Sequence, residues 1–258
     1  MQHKPVISPL GSPFIELSSI DSTNNYALAR IREGLAVHGA AFYTDDQTSG
    51  KGQMGKQWLS EKGANIALSV VIQPQSLLVS QQFQLSACIA VATQKFLETY
   101  AGDDIRIKWP NDLYWKERKI GGILIENIIK SGRNEMGNWE WAVAGIGINI
   151  NQTTFPSDLP NPVSLKQITG KHFDTAQLAK ELCEILDQQY TILIEDGFDD
   201  IFRYYNNCLY KLNATVRLKR NTSIFQTTIK GISETGELIT ANPAMEERFS
   251  FGEVVWVI

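Results

Sequence analysis

Residues 108–119, KWPNDLYWKERK, bring several anion-binding residue types together, and two glycines follow directly. Lys108 ends an apolar stretch, a Pro-Asn-Asp turn comes next, and Lys119 stands close to Gly121 and Gly122. Ammonium groups neutralise anions, and glycine lets the backbone approach a ligand closely. This spacing is typical of a site that holds two negatively charged groups close together.

A glycine-rich loop at residues 49–55 contains the pattern G-x-G-x-x-G, which also occurs in dinucleotide-binding proteins. That pattern binds a dinucleotide when a helix follows it and an acidic residue stands about 20 positions later. The following residues instead predict a loop and a strand, and no acidic residue occurs between Glu61 and Glu98. The loop also lacks the GK[ST] ending of a Walker A motif. The pattern therefore does not indicate a dinucleotide or Walker A site.

Two lysines in or beside this loop still favour a role in anion binding. Lys51 and Lys56 could act with the backbone N–H groups of the loop to cover an anionic ligand. An ordinary solvated surface loop is the simpler interpretation of the same residues.

The composition limits the classes of protein that fit. The chain has 258 residues, 43% of them hydrophobic, which predicts one large domain with a small second one. A net charge of -4 argues against unspecific binding of nucleic acid. The chain shows no signal peptide and no apolar run near the ~20 residues of a membrane span, so we expect a cytoplasmic protein. The cysteines and histidines lack the spacing of a zinc site or a disulfide framework; they are Cys88, Cys183, Cys208, His3, His38 and His172.

The elements that must position these residues follow from periodicity and turn signals. In chain order they are a helix at 21–34, strands at 40–44 and 65–73, a helix at 80–100, strands at 104–109, 119–129 and 139–150, and helices within 174–207. The polar residues 131–138 predict a hairpin between the last two strands. The helix at 80–100 should bury Phe83, Ala87, Ile89, Ala90, Phe96 and Leu97. This irregular order predicts an α+β fold with a mixed sheet and helices.

The pattern changes in the last part of the chain. Residues 211–258 hold several short alternating segments separated by Asn, Gly and Pro, which predict a small β-barrel. We therefore predict two domains, at residues 1–210 and 211–258.

Five blocks together resemble one family, the biotin protein ligases, also called biotin-[acetyl-CoA-carboxylase] ligases. They are IDSTNNYA (20–27), DQTSGKGQMGKQW (46–58), GANIALSV (63–70), KWPNDLYWKERKIGGILIE (108–126) and VAGIGININ (143–151). The resemblance implies a catalytic domain with a fold like that of class II synthetases, followed by a C-terminal SH3-like β-barrel.

The resemblance also implies an activity. These ligases join biotin to ATP to give biotinyl-5'-AMP, with Mg²⁺ as the cofactor. They then transfer biotin to one lysine of a biotin carboxyl carrier protein. Bringing a carboxylate within about 4 Å of a phosphate costs roughly 4 kcal/mol per pair of unit charges at a surface-like dielectric constant, so cations must converge there. The resemblance implies no partner in nucleic acid or membrane, and a homodimer is compatible with it.

By match to the family pattern, Lys119 and Lys51 are the expected catalytic residues. Lys119 would hydrogen-bond the biotin carboxylate and the bridging phosphate oxygen, and Lys51 would meet the acyl phosphate. Lys51 stands where many members carry Arg, so charge is kept while bidentate geometry is lost. Without the motif, both would be ordinary exposed lysines.

The resemblance further implies binding sets for the two substrates. The biotin set is Ser22, Thr23, Asn24, Gln47, Gly50, Lys51, Gly52, Gln53, Lys119, Gly122, Gly145 and Gly147. The set for ATP and Mg²⁺ is Lys51, Trp58, Asn111, Asp112 and Asn149, with Asp112 as the Mg²⁺ ligand.

Each set has a structural alternative. Ser22 and Asn24 could cap a helix, and Asn111 with Asp112 could form a hydrogen-bonded turn. Gly122, Gly145 and Gly147 would let the backbone approach the ligand closely, or they could mark strand bulges. The two tryptophans, Trp58 and Trp109, could pack on adenine or the valeryl chain, or belong to the core.

Three other functions compete with biotin ligation. Repressors in this family carry a DNA-binding domain ahead of the catalytic part, and the 21 residues before Ser22 predict that none is present. A lipoate ligase or octanoyltransferase would have a comparable fold, although the KWPND block and the GKG loop favour biotin. A biotin-binding storage protein would bind biotin without releasing pyrophosphate.

Overall fold

The structure is a computed structural model and describes residues 8–74, 77–130 and 138–257. Its centre is a seven-stranded sheet in the order β1-β2-β5-β9-β8-β7-β6, with a separate two-stranded ribbon, β3-β4. The strands are β1 (Phe14–Ile20), β2 (Ala41–Gln47), β3 (Gly50–Lys51), β4 (Gln57–Trp58), β5 (Asn65–Ile72), β6 (Ile105–Lys108), β7 (Asp112–Trp115), β8 (Arg118–Lys130) and β9 (Asn138–Asn149). Strands β1 and β2 run parallel and the other pairs antiparallel. The predicted mixed sheet is therefore confirmed.

Five helices pack around this sheet. They are α1 (Thr23–Arg32), α2 (Gln82–Ala101), α3 (Leu165–Thr169), α4 (Thr175–Glu195) and α5 (Asp199–Asn207). The predicted helical stretch 174–207 is thus two helices, separated at Gly197, whose φ of +92° suits glycine. Of the predicted core residues of α2, all are buried except Phe83, which is partly buried against the core.

Strand β5 shows why the sheet is covered on both faces. All eight of its residues are buried, as expected for a central strand between two layers. Ile66, Leu68 and Val70 belong to the large core cluster that includes residues of α2 and α4. Val71 points the other way and packs with Ala27 of α1. The two-residue period of a strand accounts for this division.

Besides the ribbon β3-β4, strands β1 and β7 and helix α3 were not predicted from the sequence. β1 is a half-exposed edge strand with a polar sequence. β7 has only four residues and begins at Asp112, the last residue of the Pro-Asn-Asp turn, so the sequence there predicts a turn and not a strand. α3 has five residues, but its N-terminus carries a readable capping box: Ser164 and Gln167 exchange hydrogen bonds of 3.2 Å.

The predicted hairpin between β8 and β9 is confirmed by their antiparallel pairing, which reaches Lys130 and Asn138. Its connecting residues 131–137 lie outside the described part of the chain, as does His3.

The C-terminal residues form a second, antiparallel sheet in the order β13-β12-β11-β10-β14. Its strands are β10 (Thr215–Arg220), β11 (Ser223–Ile232), β12 (Leu238–Ala241), β13 (Glu246–Phe249) and β14 (Val255–Trp256). The predicted β module is present. Within the described residues, its end strands β13 and β14 are not paired with each other, so hydrogen bonding does not close it into a barrel.

The C-terminal sheet packs directly on the rest of the protein. Its buried residues, among them Leu218 and Phe249, belong to the same hydrophobic cluster as the main core. The Trp109 indole donates a hydrogen bond of 2.9 Å to the Gly236 carbonyl, and the Trp256 indole donates one of 3.1 Å to the Trp109 carbonyl. Trp109 is 3% exposed and belongs to the core, while one side of it lines the cavity described below, so packing on a ligand stays a prediction.

No helix in the described ranges is long and apolar enough to cross a membrane. The same ranges hold no group of three or more His, Cys, Asp or Glu side chains arranged to bind a metal ion.

Candidate active site

The hairpin formed by β7 and β8 positions the central charges of the site. Asp112 pairs in register with Gly122, and a bulge between Leu113 and Tyr114 shifts the pairing so that Tyr114 faces Lys119. The Lys119 Nζ lies 2.6 Å from the Asp112 Oδ1, and both side chains remain partly exposed. Lys119 is thus an ion-paired residue of strand β8 and does not lie free in a turn.

A cavity of about 410 Å³ lies beside this ion pair, within the size range of small-molecule sites. Every residue predicted for the two substrates lines it except Gly50. The residues are Ser22, Thr23, Asn24, Gln47, Lys51, Gly52, Gln53, Trp58, Asn111, Asp112, Lys119, Gly122, Gly145, Gly147 and Asn149. Lys119 and Lys51 thus share one cavity, although they come from different parts of the chain.

The ribbon β3-β4 carries Lys51 to the cavity, where sequence analysis predicted a loop. Gly50 pairs with Trp58, and Lys51 pairs with Gln57. Gly50 is buried behind the residues that line the cavity. A side chain does not fit there, because it would collide with the Trp58 carbonyl oxygen and the Gln47 amide. Lys51 itself is exposed, which leaves its ammonium group accessible at the edge of the cavity.

One end of the cavity is built from buried polar side chains. The Gln47 Oε1 accepts a hydrogen bond of 3.0 Å from the Thr23 N–H and one of 3.3 Å from its hydroxyl. The Asn24 Oδ1 accepts one of 2.6 Å from Ser69, and the Asn24 Nδ2 donates one of 2.8 Å to Glu126. Ser69 and Glu126 were not predicted. A serine inside the otherwise apolar strand β5 was the signal available for Ser69.

Ser22 occupies the N-cap position of α1 but does not cap the helix through its side chain. Its backbone is extended, with φ −155° and ψ 132°, and its hydroxyl makes no capping hydrogen bond. The hydroxyl lies in the cavity wall instead, and the residue is 2% exposed. The capping interpretation of Ser22 is therefore wrong with respect to its side chain.

Close packing of neighbouring side chains explains why Gly145 and Gly147 are small residues. A methyl group on Gly145 would lie 2.8 Å from the Asn24 Cγ, and one on Gly147 would lie 2.5 Å from the Trp58 ring. These glycines make room for neighbouring side chains of the site, and the bulges of β8 and β9 lie elsewhere. The strand-bulge explanation is therefore wrong for Gly145 and Gly147, while close approach of their backbone to a ligand stays a prediction.

Gly122 is less crowded than the other two glycines. A methyl group there would lie 3.4 Å from the Asp112 Oδ1 and 3.5 Å from the Lys119 Nζ. These are ordinary van der Waals distances. Gly122 therefore lies next to the ion pair, but the ion pair does not require a glycine at this position.

The two asparagines predicted for ATP and Mg²⁺ are tied to the backbone. The Asn111 Nδ2 donates a hydrogen bond of 2.7 Å to the Ile123 carbonyl, and the Asn149 Nδ2 donates one of 3.1 Å to the Val163 carbonyl. The Asn111 bond crosses to the neighbouring strand β8, so it is not the local hydrogen bond of the turn interpretation, and Asp112 is paired with Lys119.

Lys108, the first residue of the KWPND block, is a site residue that sequence analysis did not assign. It is 5% exposed and lines the cavity. Its Nζ donates a hydrogen bond of 3.0 Å to the Tyr114 hydroxyl. Burial lowers the pKa of Lys108 from 10.5 to about 8; Asp112 opposes this effect and Lys119 adds to it. The alternation of β6, IRIK, puts Lys108 on the same face as the partly exposed Arg106, so the strand gave no signal for its burial.

Comparison with known proteins places the chain in a family. The model of the biotin/lipoate A/B protein ligase family matches residues 16–149, just over half of the 258 residues. The chain belongs to this family. Within it, the chain is 29% identical over 246 residues to a biotin--[acetyl-CoA-carboxylase] ligase from Paracoccus denitrificans, an alignment that covers 92% of this chain and 98% of the relative.

Two further comparisons agree. The bifunctional ligase/repressor BirA of Bacillus spizizenii is 28% identical over 233 residues, which cover 89% of this chain and 70% of that protein. The structure of biotin protein ligase from Aquifex aeolicus in complex with biotin and ATP matches with a TM-score of 0.77 and 25% identity, covering 93% of this chain and 97% of that one. The resemblance to biotin protein ligases, and with it the assignment to the ligases, is confirmed.

Proposed function

We propose that the chain attaches biotin to a carrier protein in two steps. In the first, a carboxylate oxygen of biotin attacks the α-phosphorus of ATP, and the bond to the β-phosphate breaks to release pyrophosphate. In the second, the amine of a lysine on a biotin carboxyl carrier protein attacks the acyl carbon. AMP leaves, and the amine loses a proton as the amide forms.

The observation that carries the proposal is the convergence of cations on one cavity. Lys119, Lys51 and Lys108 all line it, and Asp112 is the one carboxylate among its lining residues within the described ranges. The first step brings a carboxylate to a phosphate, with a repulsion of roughly 4 kcal/mol for two unit charges about 4 Å apart at a dielectric constant near 20. Lys119 would stabilise the charge that develops there, and Lys51 would neutralise the acyl phosphate.

The buried polar end of the cavity suits the ureido ring of biotin, which must be hydrogen-bonded once it is buried. Thr23, Asn24 and Gln47 are held by hydrogen bonds among themselves and with Ser69, so their positions are set before a ligand arrives. The hydroxyl of Ser22 makes no capping bond and is placed to contact the ring. We therefore assign the biotin head to this end of the cavity.

Mg²⁺ fits the site as a partner of the nucleotide. The cation is usually bound through one or two carboxylates together with substrate phosphates. Asp112 offers the one lining carboxylate in the described part of the chain, and the side-chain oxygens of Asn111 and Asn149 are neutral oxygens that could join it. Bound Mg²⁺ would offset phosphate charge, while Asp112 also keeps Lys119 in place through their ion pair.

The proposal is tested by incubating the chain with biotin, MgATP and a biotin carboxyl carrier domain, followed by mass spectrometry of that domain. We expect the mass of one biotinyl group on one lysine. Because the family also includes lipoate ligases, parallel reactions with lipoate and octanoate test the acyl group. Labelling by lipoate or octanoate in preference to biotin would refute the assignment, and so would biotin binding without release of pyrophosphate.

Two further assignments belong to the same proposal. The carrier protein and ATP would both be met in the cytoplasm, which we infer to be the site of action. We also propose residues 1–210 as the catalytic domain and residues 211–258 as a C-terminal module, with the second sheet beginning at Thr215 in support of that division.

A further inference from the structure

The buried ammonium group of Lys108 is surrounded by three aromatic rings. Its Nζ lies 4.4 Å from the ring centroid of Tyr114, 5.3 Å from that of Trp256 and 5.5 Å from that of Tyr210. All three distances are within the ~6 Å range of cation–π attraction. We call these three rings, Tyr114, Tyr210 and Trp256, the aromatic cage.

The charge of Lys108 is held by the cage and has no direct ionic partner. Within residues 8–74, 77–130 and 138–257, no carboxylate oxygen forms a salt bridge with its Nζ. The nearby carboxylate of Glu117 is instead occupied by the Tyr210 hydroxyl and Lys211, both at 2.5 Å. A buried cation without a paired anion is costly, and it favours a site to which an anionic ligand is supplied.

Trp256 enters this cage from the C-terminal sheet. Its indole N–H donates a hydrogen bond to the carbonyl of Trp109, the residue next to Lys108, and its ring lies edge-on to Tyr210 at 5.7 Å. Trp256 also lines the cavity. The last strand of the chain therefore contacts both the ammonium group and the backbone beside it.

We propose that Trp256 is a positioning residue for phosphate binding: its ring holds the Lys108 ammonium at the cavity wall, where it meets the phosphate chain of the nucleotide. The C-terminal sheet is then part of the nucleotide site. This inference rests on the proposed function, because it assumes that a phosphate chain enters the cavity.

The test measures the binding of magnesium pyrophosphate and of biotin by calorimetry for the full chain and its variants. Trp256→Leu removes the ring and should weaken pyrophosphate binding roughly 3- to 30-fold, the range expected for a partly to fully desolvated cation–π contact. Biotin binding should change less than twofold. Trp256→Phe keeps an aromatic face while losing the hydrogen bond to Trp109, and should stay within about threefold of the wild type.

A double-mutant cycle shows whether Trp256 acts through Lys108. In a Lys108→Met chain, Trp256→Leu should have no further effect on pyrophosphate binding. Trp115→Leu is the matched control, since Trp115 holds Lys116 at 4.7 Å in a similar contact on the same hairpin but does not line the cavity. Should Trp256→Leu not fold, Tyr210→Leu removes another ring and takes its place in the cycle.

The inference is overturned by equal losses of pyrophosphate and biotin affinity in Trp256→Leu, by additive effects in the cycle, or by pyrophosphate binding that does not change. A wild-type chain that binds no magnesium pyrophosphate would overturn it too. The proposed function is judged separately, because it fails when the carrier domain is not biotinylated.

Discussion

Replacement of Lys119 by alanine removes the cation on which the first chemical step most depends. In the proposed reaction, its ammonium group offsets a repulsion of roughly 4 kcal/mol between the biotin carboxylate and the α-phosphate. In the wild-type chain the Asp112 carboxylate lies 2.6 Å from the Lys119 ammonium group. The replacement leaves that carboxylate as an unpaired negative charge in the cavity wall. Loss of one preorganised charge-stabilising group lowers the rate by about 10²- to 10³-fold. We therefore expect Lys119→Ala to form the adenylate at least about 10²-fold more slowly than the wild type.

The assay is pyrophosphate release in a single turnover with biotin and MgATP, without carrier protein, so that only adenylate formation is measured. Lys130→Ala is the control: Lys130 is also on β8 and forms a salt bridge of 2.7 Å with Glu140, but it is 71% exposed and outside the cavity lining. Exposed pairs contribute at most about 1 kcal/mol to stability. Pyrophosphate release by Lys119→Ala within threefold of the wild type would show that the reasoning is wrong.

Three further predictions concern other parts of the site. Gly145→Ala should weaken biotin binding about 5- to 150-fold in calorimetry by displacing Asn24, which is the fold-change for a cost of about 1–3 kcal/mol from broken buried hydrogen bonds. Gly122→Ala should weaken it less, because its added methyl group meets no atom closer than 3.4 Å. The pKa of Lys108 is about 8, so its charge disappears as the pH rises through that value, and kcat/KM for ATP should fall between about pH 7 and 9. Removal of residues 211–258 should leave a chain without cooperative thermal unfolding, because the two sheets share one hydrophobic cluster.

Each of these predictions has its own contradicting result. Equal biotin affinities for the two glycine variants would show that the crowding at Gly145 is relieved without loss. Lys108→Arg keeps its charge at high pH, so a pH profile identical to that of the wild type would remove Lys108 as the titrating group. A sharp unfolding transition in the truncated chain would show that residues 1–210 fold alone, and normal transfer to the carrier would make the C-terminal module dispensable.

Folding stability offers an independent check on the pKa of Lys108. Between about pH 8 and 10.5 the unfolded chain keeps a proton that the folded chain has lost. The contribution of Lys108 to the free energy of unfolding therefore rises with pH across this window. A Lys108→Met chain should lack that contribution in thermal melts.

The sequence predicted those elements of the fold whose signals are local and long. The apolar run in β5 and the helical spacing in α2 each extend over many residues, so they outweigh local exceptions. The short strand β7 and the edge strand β1 were missed because neither is long enough to establish a period. Their pairing with neighbouring strands, which the local pattern does not contain, is what makes them strands.

In the candidate site, sequence blocks indicated the lining residues, whereas their partners were not predictable. Asn24 is held by Ser69 and Glu126, which are 45 and 102 positions away along the chain. The use of Gly147 to admit the Trp58 ring likewise depends on two separate strands. Such contacts depend on how the strands and helices pack together, and the spacing of residues along the chain does not predict that packing.

The sequence by itself determined the chemistry available to this protein: the lysines of the KWPND block and the glycine-rich segment, the polar residues at the start of α1, and the alternation that forms the sheets. The tertiary structure decided how that chemistry is arranged. It paired Lys119 with Asp112, and it buried Lys108 between Tyr114 of the seven-stranded sheet and Trp256 of the C-terminal sheet. The physical reason is that the energy of a charge depends on its burial and on the groups around it, and both arise only when distant segments pack together.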